Sequence, residues 1–209
     1  MAHLNLDEQE QISRLKYFWR DYGKYIIGIL IVAIITYSSS ELLTWKNQTQ
    51  SAQAAIIYEQ FTVDLTNNIP NAYKEAEKLQ KNFPKNEYTA FATLLVAKTA
   101  FTNKELDKAS SYLLWVISHS KDNSLVNIAK LRLADVYIDQ KKSDEALKIM
   151  MEKTTPGFQP LFYEKRGDLY LAIDNKMKAR DVYKAALDAA SSNQELAQEI
   201  QMKLDILGS

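Results

Sequence analysis

The chain has 209 residues, and its 26 Lys and Arg are balanced by 26 Asp and Glu. The first 24 residues hold four of each sign, so the remainder is neutral as well, which argues against nucleic acid or bulk anionic lipid as partner of the larger part. With no cysteine in the chain, disulfides, thiolate nucleophiles and zinc–thiolate sites are excluded.

Gly and Pro are scarce, at 5 and 4, which is the composition of a helical protein. Residues 5–22, NLDEQEQISRLKYFWRDY, read as a short amphipathic helix. Asp7, Glu8 and Glu10 fall in its first turn, where the helix dipole favours acids. Ile12, Leu15, Trp19 and Tyr22 recur at helical spacing with Phe18 beside them. Such a helix lies on a membrane surface or docks a partner, and Gly23 permits a bend after it.

Next comes YIIGILIVAIITYSSS, Tyr25 to Ser40, sixteen residues without a formal charge between Lys24 and Glu41. At about 1.5 Å per residue this covers about 24 Å of a roughly 30 Å hydrocarbon core. Snorkelling by Lys24 and extension through Leu42 and Leu43 bring the span to about 19–20 residues. Six Ile, Leu30 and Val32 favour insertion by about 2–5 kcal/mol. The run offers no polar face, so a transmembrane helix over 24–43 is expected in preference to a buried core helix. Arg14, Lys16, Arg20 and Lys24 precede it, whereas Lys46 is the only basic residue from there to residue 73. The positive-inside rule then keeps residues 1–23 in the cytoplasm and exports 44–209. Tyr17, Phe18, Trp19 and Tyr22 on one side, and Tyr37 and Trp45 on the other, suit interfacial anchors. A cleaved signal peptide fits less well, because the preceding segment is long, carries acids and lacks a clean A-x-A site.

After Trp45 the periodicity is helical to the end. Residues 51–66 and 71–83 suggest a helix pair, with Ala55 and Tyr58 and then Ala76 and Leu79, joined by the loop TNNIPN and closed by Pro84. Three segments then superimpose: 94–116, 131–153 and 164–186, offset by 37 and 33 residues. Each has a small residue (Ala97, Ala134, Gly167), followed three places on by Ala100, Tyr137 or Tyr170. Twelve places after the small residue comes Ala109, Ala146 or Ala179. Small side chains on both helices let a helical hairpin close, with the aromatic filling the space beside them. Such hairpins bury their apolar faces only by stacking. The pattern resembles the tetratricopeptide repeat. The fold class expected is all-α: a transmembrane helix followed by a tetratricopeptide-like helical-hairpin solenoid. Capping boxes are expected at Thr102–Glu105 and Ser192–Glu195, the latter opening a last helix whose Leu196, Ile200, Leu204 and Leu207 cover the end of the stack.

Catalytic signatures are missing. No P-loop, G-x-S-x-G, dinucleotide fingerprint or H-E-x-x-H occurs, and no catalytic residue, cofactor or metal site is expected. His3 and His119 fall on opposite sides of the membrane in this topology, and His119 reads as a solvated turn residue. Asp135 and Asp139, one turn apart, read as exposed surface charges rather than a metal pair. Repeat hairpins of this kind bind through the groove lined by their first helices. Its usual positions fall here on Leu94 and Lys98, Leu131 and Asp135, and Glu164 and Asp168, with Phe101, Ile138 and Leu171 one turn further on. Several of these also suit hairpin-to-hairpin core. Repeat proteins that clamp a chaperone's terminal carboxylate need Lys and Asn there, whereas this chain offers Leu and acids. A partly apolar extended polypeptide or a partner helix suits it better.

The N-terminal E-Q-x-x-x-L-K-x-x-W-x-x-Y-G, the LRLADVYI of the repeats and the terminal QMKLDIL resemble the YfgM-like ancillary subunits of the bacterial SecYEG translocon. The resemblance covers nearly the whole chain. It implies an inner-membrane protein with a periplasmic domain, associated with the SecYEG translocon and with a membrane-anchored periplasmic chaperone related to prolyl isomerases, and receiving polypeptides that leave the channel. The alternative is an envelope-complex scaffold that does not engage unfolded clients.

Overall fold

The computed structural model describes residues 6–190 and 193–208; in the first helix, side chains are described at residues 10, 12–34, 37 and 45–67. His3, the Asp7 and Glu8 side chains and Ser192 lie outside these residues. The elements are α1 (Leu6–Asn67), α2 (Ile69–Asn82), α3 (Glu87–Thr102), α4 (Leu106–His119), α5 (Asn123–Asp139), α6 (Ser143–Met150), α7 (Gln159–Ala172), α8 (Lys176–Ala189) and α9 (Gln194–Ile206). A 3-10 turn at Pro156–Phe158 leads into α7. Among the described residues there is no strand. The chain divides into two units, residues 1–50 and 51–209.

In the first unit the helix continues through Gly23 instead of bending there. A Cβ at Gly23 would lie 3.3 Å from the indole of Trp19. The absent side chain therefore makes room for a large ring one turn back, which is a packing role rather than a hinge. Glu10 and Arg14 pair at 2.8 Å across one turn. Apolar side chains from Tyr25 to Ile34 are largely bare, with Ile29 70% and Val32 62% exposed. Among the described residues no helix is long and apolar enough to cross a membrane. The span expected over 24–43 is therefore unconfirmed. Its uncharged run is shorter than the roughly 20 residues a spanning helix needs, and the side chains at 35, 36 and 38–43 lie outside those described.

The second unit is built by one turn used three times. Lys104, Lys141 and Asp174 take positive φ values of 62°, 60° and 58°, at equivalent positions of the three repeats. In each, the next residue's N–H bonds 2.8 Å back to the carbonyl five residues earlier: Glu105 to Ala100, Lys142 to Tyr137 and Asn175 to Tyr170. The left-handed residue thus closes the first helix of each hairpin and satisfies a carbonyl the helix leaves open. The second helices then start at once. Glu105 and Lys142 make no side-chain cap, and Thr102 belongs to α3, with its hydroxyl on the Lys98 carbonyl at 3.0 Å. The capping box expected at Thr102–Glu105 is absent because Thr102 is the last residue of α3 and Glu105 itself takes the N-cap position of α4. At α9 the cap is Asn193, whose Oδ1 accepts from the N–H of Leu196 at 3.2 Å.

The first helix pair is tighter than its sequence suggests. α1 and α2 are separated by Asn68 alone, which accepts from the N–H of Asn71 at 3.3 Å, and Pro70 in the first turn gives up no needed donor. The buried small residues here are Ala54, Ala72 and Ala76, while Ala55 sits half-buried one place off the expected register. Ala97 with Ala109, and Ala134 with Ala146, are buried as the hairpin spacing requires. Gly167 departs from this, because its vacant side is filled by Tyr183 rather than by Ala179. Three successive apolar clusters run from α1 to α5, α5 to α7 and α7 to α9, so each helix packs on its neighbours in the stack. Ile200 is fully buried in the last cluster, with Leu196, Leu204 and Leu207 around it, so α9 covers the end of the stack.

Candidate functional site

The first helices of the three hairpins are α3, α5 and α7, and the nine expected groove residues divide among three surroundings. Leu94 is 5% exposed and belongs to the first core cluster; its carbonyl accepts from the Arg132 guanidinium at 3.3 Å. Leu131 and Ile138 pack on the second cluster and Leu171 on the third. These four are hairpin-to-hairpin core, because the face that lines a groove on one hairpin also meets the next hairpin in the stack.

Glu164 and Asp168 do not line an open groove either. Lys203 of α9 lies between them, with Nζ 2.5 Å from Glu164 Oε1 and 3.0 and 3.1 Å from the two oxygens of Asp168. Tyr183 donates its hydroxyl to Asp168 Oδ1 at 2.6 Å. Burial raises the Glu164 carboxyl above the usual range, against the pull of the Lys203 hydrogen bond and charge. Burial draws Lys203 down, but its bonds to Glu164 and Asp168 outweigh this and the net direction is up. The two directions pull apart: the partners of Lys203 favour its charged form, whereas burial disfavours the charged form of Glu164 more than the lysine restores it. The C-terminal M-K-L-D thus has a structural reason: Lys203 ties α9 to α7 while Leu204 packs into the last core.

Lys98, Phe101 and Asp135 are brought together. With Ala97, Leu113 and Arg132 they line a cavity of about 170 Å³ between α3, α4 and α5. Lys98 and Arg132 are exposed, Phe101 and Asp135 half-buried. Asp135 is held by Lys165 of α7 at 2.8 Å. Arg132 escapes a search of groove positions because it lies three residues before Asp135, on the flank that faces the preceding hairpin. Asp139, expected as a bare surface charge beside Asp135, is paired with Lys104 at 3.0 Å, so the two carboxylates tie α5 to different neighbours. Among the described residues no group of three or more His, Cys, Asp or Glu is set to hold a metal ion. His119 is the last residue of α4 rather than a free turn residue: its ring stacks on Trp115 with centroids 4.4 Å apart and planes 5° apart.

Comparison with known proteins agrees with this architecture. The tetratricopeptide repeat-like domain profile matches residues 16–209. A Neisseria gonorrhoeae protein named ancillary SecYEG translocon subunit is 33% identical over 205 residues, covering 97% of this chain and 98% of that protein. Proteins of the same name from Escherichia coli and Haemophilus influenzae are 27% and 25% identical over 206 and 203 residues, with 96% and 97% of this chain and 97% and 98% of theirs aligned. The chain belongs to the tetratricopeptide repeat-like family of ancillary SecYEG translocon subunits.

Proposed function

We propose that this chain is a non-catalytic, membrane-tethered adaptor of the Sec translocon. In this reading residues 1–23 are cytoplasmic, 24–43 cross the inner membrane and 44–209 form a periplasmic repeat domain. That domain meets a membrane-anchored prolyl-isomerase-like chaperone and polypeptides leaving the channel. The observation that carries it is similarity over nearly the full length to relatives named ancillary SecYEG translocon subunits. The tether draws support from the first unit, where most apolar side chains from Tyr25 to Ile34 are exposed. A helix apolar on every side needs apolar surroundings. Basic residues gathered before that stretch support the orientation. Engagement of polypeptides draws support from the cavity at Lys98 and Phe101, a concave and largely apolar site on the stack.

The test is photocrosslinking in intact membranes from residues placed at Lys98 and Phe101. Translocon subunits, the chaperone or translocating chains are the expected adducts, and capture of unrelated envelope proteins alone overturns the assignment. A C-terminal reporter active only outside the cytoplasm checks the orientation, and cytoplasmic activity reverses it.

A further inference from the structure

Ion pairs join alternate helices toward the C-terminal end of the stack like rungs of a ladder, α5 to α7 and α7 to α9. In the register of the repeats, Lys98, Asp135 and Asp168 are equivalent, and so are Arg132 and Lys165, each three residues before the next of these. Lys165 of α7 reaches back to Asp135 of α5 at 2.8 Å. Lys203 of α9 reaches back to Asp168 of α7 at 3.0 Å. The first rung breaks the rule: Arg132 reaches back toward α3, but the acid's position is held by Lys98. Both cations line the same cavity. Among the described residues neither has a carboxylate within ion-pairing distance, and Arg132 spends one donor on the Leu94 carbonyl.

We propose that this broken rung is a binding subsite for an acidic residue of an extended polypeptide, with an adjoining apolar side chain seated beside it. The ligand's carboxylate takes the place of the acid the repeat omits, receiving donors from Arg132 and Lys98. Two like charges facing one cavity repel, and an incoming carboxylate relieves that repulsion. Asp135 at the edge of the cavity does not oppose this strongly, since Lys165 already holds it. Ala97, Phe101 and Leu113 supply an apolar wall below the charges. The cavity's 170 Å³ is smaller than the roughly 300–1,000 Å³ of small-molecule and cofactor sites. It has room for one side chain, which favours a peptide over a free metabolite. This inference rests on the reading of the stack as a polypeptide-binding surface and adds what that surface selects.

The probe is a fluorescein-labelled, end-blocked octapeptide with a central Leu-Glu pair in a Gly/Ser background, titrated by anisotropy against the full-length protein in mild detergent. Versions carrying Leu-Gln, Leu-Lys and Ser-Glu are compared with it. The Leu-Gln peptide is expected to bind at least about tenfold more weakly, the loss of one charge-assisted hydrogen bond; the Ser-Glu peptide should also bind more weakly, for want of the apolar contact, and raised salt should weaken the two Glu peptides but not Leu-Gln. Lys98→Glu, at an exposed position, restores the acid of the ladder for Arg132 to pair with and should abolish the preference for the Leu-Glu peptide over the Leu-Gln and Leu-Lys peptides. Arg132→Gln should weaken the Leu-Glu peptide as well, and Lys98→Glu guards against any folding defect from its lost bond to Leu94. Equal affinity for Leu-Glu and Leu-Gln, or an unchanged preference in Lys98→Glu, overturns the subsite. If crosslinks from Phe101 still capture translocating chains, only the acidic selectivity is lost; if they capture none, the polypeptide-binding reading falls with it.

Discussion

The ring of Tyr183 occupies the place where a side chain on Gly167 would begin. A Cβ there would lie 2.6 Å from Cδ1 and 2.8 Å from Cζ of the ring, with Cε1 nearer still. Tyr183 is fully buried and its hydroxyl is fixed on Asp168, so the ring cannot swing away cheaply. Gly167→Ala is expected to cost about 1–3 kcal/mol by overpacking, read as a lower urea midpoint with unchanged slope. A neutral or stabilising outcome would show that α7 and α8 can separate without loss.

Removing the lysine of the C-terminal cluster should do more than removing its partner. Lys203→Met leaves Glu164 and Asp168 as like charges beside each other, with Glu164 only 8% exposed. The expected loss is about 2–3 kcal/mol, below the roughly 3–5 of a fully buried pair because Lys203 and Asp168 keep some water. Glu164→Gln keeps a hydrogen-bonding shape and removes a charge that burial disfavours, so it should cost less. If both variants unfold at the same urea concentration, the cluster is not what holds α9 in place.

Alkali should weaken the stack, with the largest loss at this end, because Tyr183 is raised further than Tyr58, Tyr73, Tyr112 or Tyr137. Tyr183 is raised by burial, then by its bond to Asp168 and the charges of Asp168 and Glu164. Lys203 is raised in net. For both groups the unfolded chain loses its proton first, at about pH 10. Their stabilisation is therefore complete below that value and falls as pH rises through the folded values. Glu164, also raised, contributes most below the ordinary carboxylate range and adds nothing to the alkaline loss. Thermal melts are expected to hold steady from neutral pH and then drop above about pH 10. Lys203→Met should show a shallower drop; a slope identical to wild type would place the titrating groups elsewhere.

The three left-handed turn residues offer a stabilising change. Lys141 has φ of 60°, a conformation that costs a side-chain-bearing residue about 1–2 kcal/mol and costs Gly nothing sterically. Lys141→Gly should raise stability by about 0.5–1 kcal/mol after Gly's extra chain entropy is counted. Lys104→Gly should gain less, since it gives up the ion pair to Asp139. A lower melting temperature for Lys141→Gly would mean that the residue's side chain, rather than its backbone, matters at that turn.

The helical class, the hairpin units and their register are legible in the residues alone. Ala97, Ala134 and Gly167, with Ala109, Ala146 and Ala179, announce the places where helices must touch, and small residues at fixed spacing have no other common use. The apolar stripe of α9 is legible in the same way, because a period of 3.6 residues is a local property. The short link between α1 and α2, the unbroken helix at Gly23 and the end of α3 at Thr102 differ from the expectation, since turn polarity resembles a helix end until the neighbouring carbonyls are placed. Which side chains stand opposite one another emerges only once the helices are packed. Glu164 and Asp168 read as groove acids, yet they meet a lysine nearly forty residues later in the chain. Arg132 falls on none of the groove positions, yet it lines the same cavity as Lys98. Ion pairing and cavities depend on distances between helices, and those are fixed by packing rather than by the spacing of residues along any one of them.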